Sequence, residues 1–207
     1  MRAIAIDAND QSELRPLLDE MHRLRAQVFA GRLGWQVKIE QGRERDEYDS
    51  LNPTYILALT DGGEVAGCAR LLPTLGPTML ARTFPRLLAG GRLHGKPTLV
   101  ESSRFCVDTR GEGRGGRFLH DATLTMFAGI IEWSMSNGFD EIVTATDVRF
   151  ERILKRAGWP MTRLGGVELI GETMSVAGIL AADCASFERV CPPGYRSDLA
   201  PVQRVAA

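Results

Sequence analysis

The apolar and polar positions divide the chain into segments of two periods. Residues 2–6 alternate, which predicts a short edge strand. Between residues 13 and 30, Leu14, Leu17, Leu18, Met21, Leu24 and Val28 recur at the spacing of one helix face, with Asp10 or Ser12 as cap and Arg25 at the edge of the stripe. Residues 31–52 sustain neither period; the segment is charged and contains glycine, while Trp35 and Tyr48 argue against disorder. A loop of that length in a compact domain is usually functional. Residues 55–60 and 65–72, joined by Asp61-Gly62-Gly63, read as a hairpin. Residues 79–88 read as a short helical or irregular piece and 90–96 as a loop leading into a strand at 98–107. A glycine-rich turn at 111–116 precedes a strong helix at 118–136. There follow a strand at 139–146, a helix at 149–157 closed by Gly158, a hairpin of 164–171 with 173–180, and a short helix near 182–190. The tail from Cys191, with Pro192, Pro193 and Pro201, is expected to be extended and loosely held. This order predicts an α/β (α+β) fold with one mixed sheet flanked by helices, not a doubly wound parallel sheet. Its 207 residues fit a single domain, with a core over about 10–180 and a tail over about 191–207.

The strand at 98–107 holds the least ordinary pattern. Leu99, Val100, Phe105, Cys106 and Val107 predict a central strand buried on both faces, yet Glu101, Ser103 and Arg104 stand in its middle. A carboxylate and a guanidinium there are costly unless paired or used. Residues three apart on a regular strand face opposite ways, so Glu101 and Arg104 do not meet unless a bulge intervenes. Each charge then needs its own partner, either a structural counter-ion or a ligand, and both readings stay open.

Composition narrows the function. A net charge of −1 makes no case for nucleic acid or an anionic membrane. No apolar run approaches transmembrane length and the first residues turn polar too soon for a signal peptide, so a reducing cytoplasm is expected. The four cysteines and three histidines show no ligand spacing, so neither metal nor disulfide is expected. Arg25, Asp46, Asp49 and Arg70, with Phe29 and Trp35, read singly as loop caps, a surface helix residue and a loop anchor. Together they could clamp a zwitterionic ligand carrying a cationic centre and an aromatic base. Basic residues gather at Arg82, Arg86, Arg92 and Lys96, and again at Arg110, Arg114 and Arg117. Arg110-x-x-Gly113-x-Gly115 is either a plain connector or a phosphate contact at a helix start. No Gly-x-Ser-x-Gly elbow, Walker loop or Cys–His pair appears, which favours direct attack between two bound substrates over a covalent enzyme intermediate.

These residues resemble the acyl-homoserine-lactone synthases, the autoinducer synthases of bacterial quorum sensing. The matching pieces are Arg25-x-x-Val28-Phe29, Arg32-Leu-Gly-Trp35, Glu44-x-Asp46-x-x-Asp49, Arg70 and Glu101-Ser-Ser-Arg104-Phe105, spread over about residues 10–180. The glycine run after Arg110 resembles the pyrophosphate loop of GNAT-type acyltransferases. The resemblance implies a GNAT-like twisted mixed sheet split by an acyl-binding cleft. It implies a reaction between S-adenosyl-L-methionine, as substrate and not cofactor, and an acyl thioester on acyl carrier protein or coenzyme A, the carrier protein being favoured. Arg25, Phe29, Trp35, Asp46 and Asp49 would shape the S-adenosylmethionine side, with Arg70 and Arg104 in the same charged network. Glu101 would be the general base, with Arg104 and Ser103 beside it. Ser103 and Phe105 would line the acyl end, Thr144 would accompany 3-oxo chains, and the helix at 118–136 would border the chain through Met126, Ala128, Gly129 and Ile130. Arg82, Arg86, Arg110, Arg114 and Arg117 would meet the carrier. Two other readings remain at this point: a GNAT-type N-acyltransferase using acyl-CoA and another amine, and a non-catalytic acyl-ligand sensor.

Overall fold

The computed structural model of the chain describes residues 1–8, 14–109 and 121–199. β1 (Arg2–Asp7) is followed by α1 (Arg15–Ala26), which runs on into a π-helical turn, Gln27–Arg32. A small hairpin, β2 (Ile39–Glu40) and β3 (Arg43–Glu44), leads into a 3-10 turn, Glu47–Ser50. Then come β4 (Thr54–Leu59), β5 (Val65–Pro73), α2 (Met79–Arg82), a 3-10 turn Pro85–Leu87, and β6 (Leu99–Val107). The second half comprises α3 (Asp121–Ser136), β7 (Glu141–Asp147), α4 (Val148–Arg156), β8 (Thr162–Arg163), β9 (Glu168–Ile170), β10 (Thr173–Ala181), α5 (Cys184–Val190) and β11 (Arg196–Asp198). Nine of the strands form the expected mixed sheet, ordered β11-β1-β4-β5-β6-β7-β10-β8 with β9 paired to β10, and β2 and β3 stand apart as a two-stranded sheet.

Two expectations are corrected. β1 is not an edge strand: it lies between β4 and β11, because the tail returns to the sheet as far as Asp198. Tyr195 and Ser197 donate from their hydroxyls to Glu132 of α3, at 2.7 and 3.0 Å, and hold it there. A strand of three polar residues has no apolar alternation to betray it. The segment 31–52 is not structureless but carries β2, β3 and a 3-10 turn capped by Asp46. Asp10 and Ser12, the expected caps, lie outside the described residues; Leu14, at the N-cap of α1, makes no side-chain cap bond, and a proline stands in the first turn.

The two faces of the sheet carry different cores. On one, Met21, Leu24, Val28 and Phe29 pack on Ile6, Tyr55, Leu57, Cys68 and Cys106. On the other, Met126, Phe127, Ile130 and Ile131 of α3 pack on Ile56, Leu71 and Val100. Gly129 marks how closely α3 approaches: a Cβ there would lie 2.9 Å from that of Ala3 and 3.2 Å from Ile56. It belongs to the helix–sheet contact and not to a tunnel wall. Among the described residues no helix is long and apolar enough to cross a membrane.

The site is positioned by a split in the sheet. β6 and β7 run parallel and pair only from Leu99 with Glu141 to Ser102 with Thr144. Beyond that point β6 continues against β5 and β7 against β10, so the sheet opens between them. The split coincides with a bulge in β6, where the register to β5 shifts between Cys68 and Arg70 and Arg104 takes a φ of 54°. Bulges bend a strand and sharpen its twist, which carries β6 away from its neighbour.

Candidate active site

The bulge resolves the spacing puzzle in the strand. With one extra residue in β6, Ser103 and Arg104 both turn toward the α1 face, the face of Glu101. Glu101 and Arg104 nonetheless do not pair.

Arg104 joins a network built from three parts of the chain. Arg25, expected at the edge of a helix stripe, is fully buried at 0% exposure. It donates from Nε to Glu44 at 2.5 Å and from both Nη atoms to the two oxygens of Asp49, at 2.8 and 2.9 Å. Arg70, also buried, donates to Asp46, to Asp49 at 2.9 Å and to the Ser103 hydroxyl at 3.1 Å. Arg104 donates from Nε to the other oxygen of Glu44 at 3.0 Å, and its Nη2 lies 2.8 Å from Asp46. Burial opposes ionisation of Asp49, but hydrogen bonds and charge from Arg25, with the charge of Arg70, outweigh it and hold its pKa well below the usual carboxylate range. Tyr55 completes the site of Asp49, donating its hydroxyl at 2.7 Å. Phe29 and Trp35 stack in parallel, centroids 5.2 Å apart, and the Arg104 guanidinium stands 5.5 Å from the Phe29 ring centre.

Glu101 is 1% exposed and, among the described residues, forms no ion pair with an arginine. Its two oxygens accept the backbone N–H groups of Met79 at 2.9 Å and Leu80 at 2.6 Å, at the start of α2. Burial raises its pKa above the ordinary glutamate value, and these two amides, with the charge of Arg70 and a hydrogen bond from Thr78, offset the rise only in part. A carboxyl so placed is closer to the proton-transfer range than a surface one.

Behind the network lies His22, 4% exposed, whose Nδ1–H donates to the Glu44 carbonyl at 2.9 Å and whose ring stands edge-on to Tyr55. Burial, with the charges of Arg25 and Arg45 against that of Asp49, pulls its pKa from 6.5 to about 4. The folded value lies below the unfolded one, so the stabilisation is complete above pH 6.5 and is lost as pH falls toward 4. This group alone is expected to remove up to about 3 kcal/mol between neutral pH and that value. Urea unfolding at the two pH values should show the loss in the parent protein and a flatter response in His22→Asn.

The α3 face of the split is apolar. Phe105 leaves β6 on that side and meets Phe127 at 5.5 Å and Phe150 of α4 at 4.8 Å, with Trp159 5.4 Å from Phe127. Thr144 stands at the last paired position of β7, opposite Ser102. Ser103 is brought to Arg70 and the ion network instead of the acyl side. Arg82 and Arg86 are exposed near α2, Arg86 within 3.3 Å of Glu168, and Lys96 pairs with Glu141. Arg110, Arg114 and Arg117, with the glycine run, lie outside the described residues.

Sequence reasoning gave no role to Glu44, which is fully buried and bridges Arg25 to Arg104. A charge in a two-residue strand has no periodic signal, and only its place in the Glu44-x-Asp46 motif marked it. Met79, an apolar residue opening a four-residue helix, reads in the sequence as ordinary core and carries no mark of its contacts. The exposed row Arg149, Arg152 and Lys155 on α4 was also passed over, although it is visible in the sequence at helical spacing.

Comparison with known proteins agrees with this geometry. The family model for autoinducer synthases matches residues 9–190. An acyl-homoserine-lactone synthase of Rhizobium radiobacter is 64% identical over 201 residues, 97% of this chain and 95% of that protein. The crystal structure of the AHL synthase LasI superposes with a TM-score of 0.77 at 36% identity, covering 91% of this chain and 94% of that one. That of BjaI, a CoA-dependent acyl-homoserine lactone synthase solved with SAM and isopentyl-CoA, gives 0.81 at 25% identity over 95% and 92%. With the split mixed sheet of the GNAT-like fold and a charged network beside the split, the chain belongs to the autoinducer synthase family, the acyltransferases that make acyl-homoserine lactones.

Proposed function

We propose that S-adenosyl-L-methionine binds on the α1 face, beside the ion network and the Phe29–Trp35 stack, and meets an acyl thioester in the opening between β6 and β7. The observation that carries this reading is the position of the split: charged groups stand on one face of it and an aromatic cluster on the other. The network sets Arg25, Arg70 and Arg104 against Glu44, Asp46 and Asp49, with Glu101 close by, which suits a substrate bearing a sulfonium and an amine. BjaI has been solved with SAM and isopentyl-CoA, ligands of the same two classes.

The chemistry follows from the groups present. An α-amino group, with a reference pKa near ~8, is mostly protonated at neutral pH and attacks only as the free amine. Glu101 takes that proton through one water, since each of its oxygens already accepts an amide and retains a further lone pair. Backbone N–H groups of β6 beyond Ser102, no longer paired to β7, supply the donors for the oxyanion. The acyl chain lies against Phe105, Phe127 and Phe150, with Thr144 near its carbonyl end. Ring closure needs little from the protein: the substrate carboxylate attacks its own γ-carbon, and the sulfonium leaves as neutral methylthioadenosine.

Acyl carrier protein is the proposed donor. Its acidic surface suits exposed Arg82 and Arg86 and the α4 row of Arg149, Arg152 and Lys155, while BjaI keeps coenzyme A as the second reading. Reversing Arg82 and Arg149 to glutamate together should raise KM for the carrier substrate, leave kcat in place and weaken the salt dependence. Unchanged kinetics would remove these residues from the donor site. The four free cysteines suit a reducing compartment, and the cytoplasm is the proposed place of action of this single domain.

The test is direct: purified protein with S-adenosylmethionine and acyl carrier protein charged with an acyl chain, followed by mass spectrometry. Lactone and methylthioadenosine in equal amounts are expected. Absence of both with either donor would overturn the reading, and product with acyl-CoA alone would overturn the choice of donor.

A further inference from the structure

Among the described residues, the nitrogens of Arg25, Arg70 and Arg104 meet carboxylate or hydroxyl oxygens with two exceptions. Arg70 Nη2 and Arg104 Nη1 both point at the sulfur of Met79, at 3.6 and 3.3 Å. A thioether is a poor acceptor, and two charged N–H groups sharing one is an arrangement that a stronger acceptor would improve. The place can be reached, because the Arg104 side chain retains 10% exposure, and Met79 covers the inner arginine. Met79 is also divided in its attachments. Its backbone N–H is fixed to Glu101 at 2.9 Å, while its side chain has three rotatable bonds and can swing aside without moving α2.

We propose that Met79 Sδ holds the place of a substrate carboxylate in the empty site. On binding, the thioether turns away and the carboxylate accepts from Arg104 Nη1 and Arg70 Nη2. Two donors that converge on one sulfur atom lie within reach of the two oxygens of one carboxylate. This rests on S-adenosylmethionine being the substrate and assigns the end of it that the arginines hold. An oxygen accepting one such bond keeps a lone pair, so the grip does not bar ring closure. Met79 is then a positioning residue, and Arg70 with Arg104 the anion site.

The measurement is calorimetric titration of the parent protein with S-adenosylmethionine and with decarboxylated S-adenosylmethionine, which keeps the sulfonium and the amine. The decarboxylated compound is expected to bind about 10- to 100-fold more weakly, as loss of a hydrogen bond to a charged group implies. The gap should narrow in Arg104→Gln and persist in Met79→Leu, whose affinity for S-adenosylmethionine should hold or rise. Equal affinities in the parent protein would overturn the anion site while leaving the substrate reading intact. A Met79→Leu protein that binds S-adenosylmethionine much more weakly would overturn the placeholder role. Failure of the parent protein to bind S-adenosylmethionine would instead overturn the reading beneath both. Should Arg104→Gln not fold, the parent protein and Met79→Leu still decide the matter.

Discussion

Arg25→Met is expected to destabilise the fold by about 3–5 kcal/mol, the usual consequence of removing one partner from a buried ion pair. Arg25 ties α1 to β3 through Glu44 and to the 3-10 turn through both oxygens of Asp49. Methionine fills much of the volume but leaves Glu44 with Arg104 as its one arginine, and Asp49 with Arg70, Tyr55 and the Asp46 amide. Lysine would not rescue it, because a single ammonium cannot span two carboxylates as the planar fork does. Urea unfolding should show a lower midpoint with an unchanged slope. The acid response should change as well. In the parent protein the pKa of Asp49 is depressed, so its stabilisation is present above the unfolded value near ~4 and lost only as pH falls well below it. In the variant, with the folded value closer to the unfolded one, that loss should be smaller and complete at a higher pH. A variant as stable as the parent would mean that the network adds little to the fold.

Much of this site could be read before the fold was known, for physical reasons that differ from residue to residue. Glu101 and Arg104 stood out because charge in an apolar strand is rare, and that argument needs no geometry. The bulge that turns Arg104 onto the face of Glu101 could be named only as a condition, since its left-handed backbone falls on an arginine and not on a glycine, leaving no sequence mark. Arg25 was misplaced by its helical phase: one position from the apolar stripe allows either the surface or the core, and only Glu44 and Asp49 decide for burial. The strands β4, β5 and β6 were legible through their short runs of apolar, β-favouring residues and the Asp61-Gly62-Gly63 turn. β11 was not, because its pairing with β1 depends on a tail contact with Glu132 from another part of the chain.

Glu101→Gln should lower kcat by about 10²–10⁴-fold, the range for loss of a positioned general base. The KM for S-adenosylmethionine should change far less, because the proposed carboxylate contacts lie elsewhere, on Arg70 and Arg104. Glutamine also places an N–H opposite one of the two α2 amides, so a fall in thermal stability should accompany the loss of rate. A lower rate by itself therefore does not separate a base from an anchor of α2. The pH dependence does. A base acts ionised, and burial raises the pKa of Glu101, so the parent rate should climb with pH through that elevated value and then level.

The decisive measurement is the rate of amide formation in a single turnover across pH, in the parent protein and in Glu101→Gln. The parent should show an ascending limb that levels, and the variant a much slower rate that keeps rising with the ionisation of the amine itself. If the variant retains the parent's limb and plateau, Glu101 serves only to hold α2, and the amine loses its proton by another route.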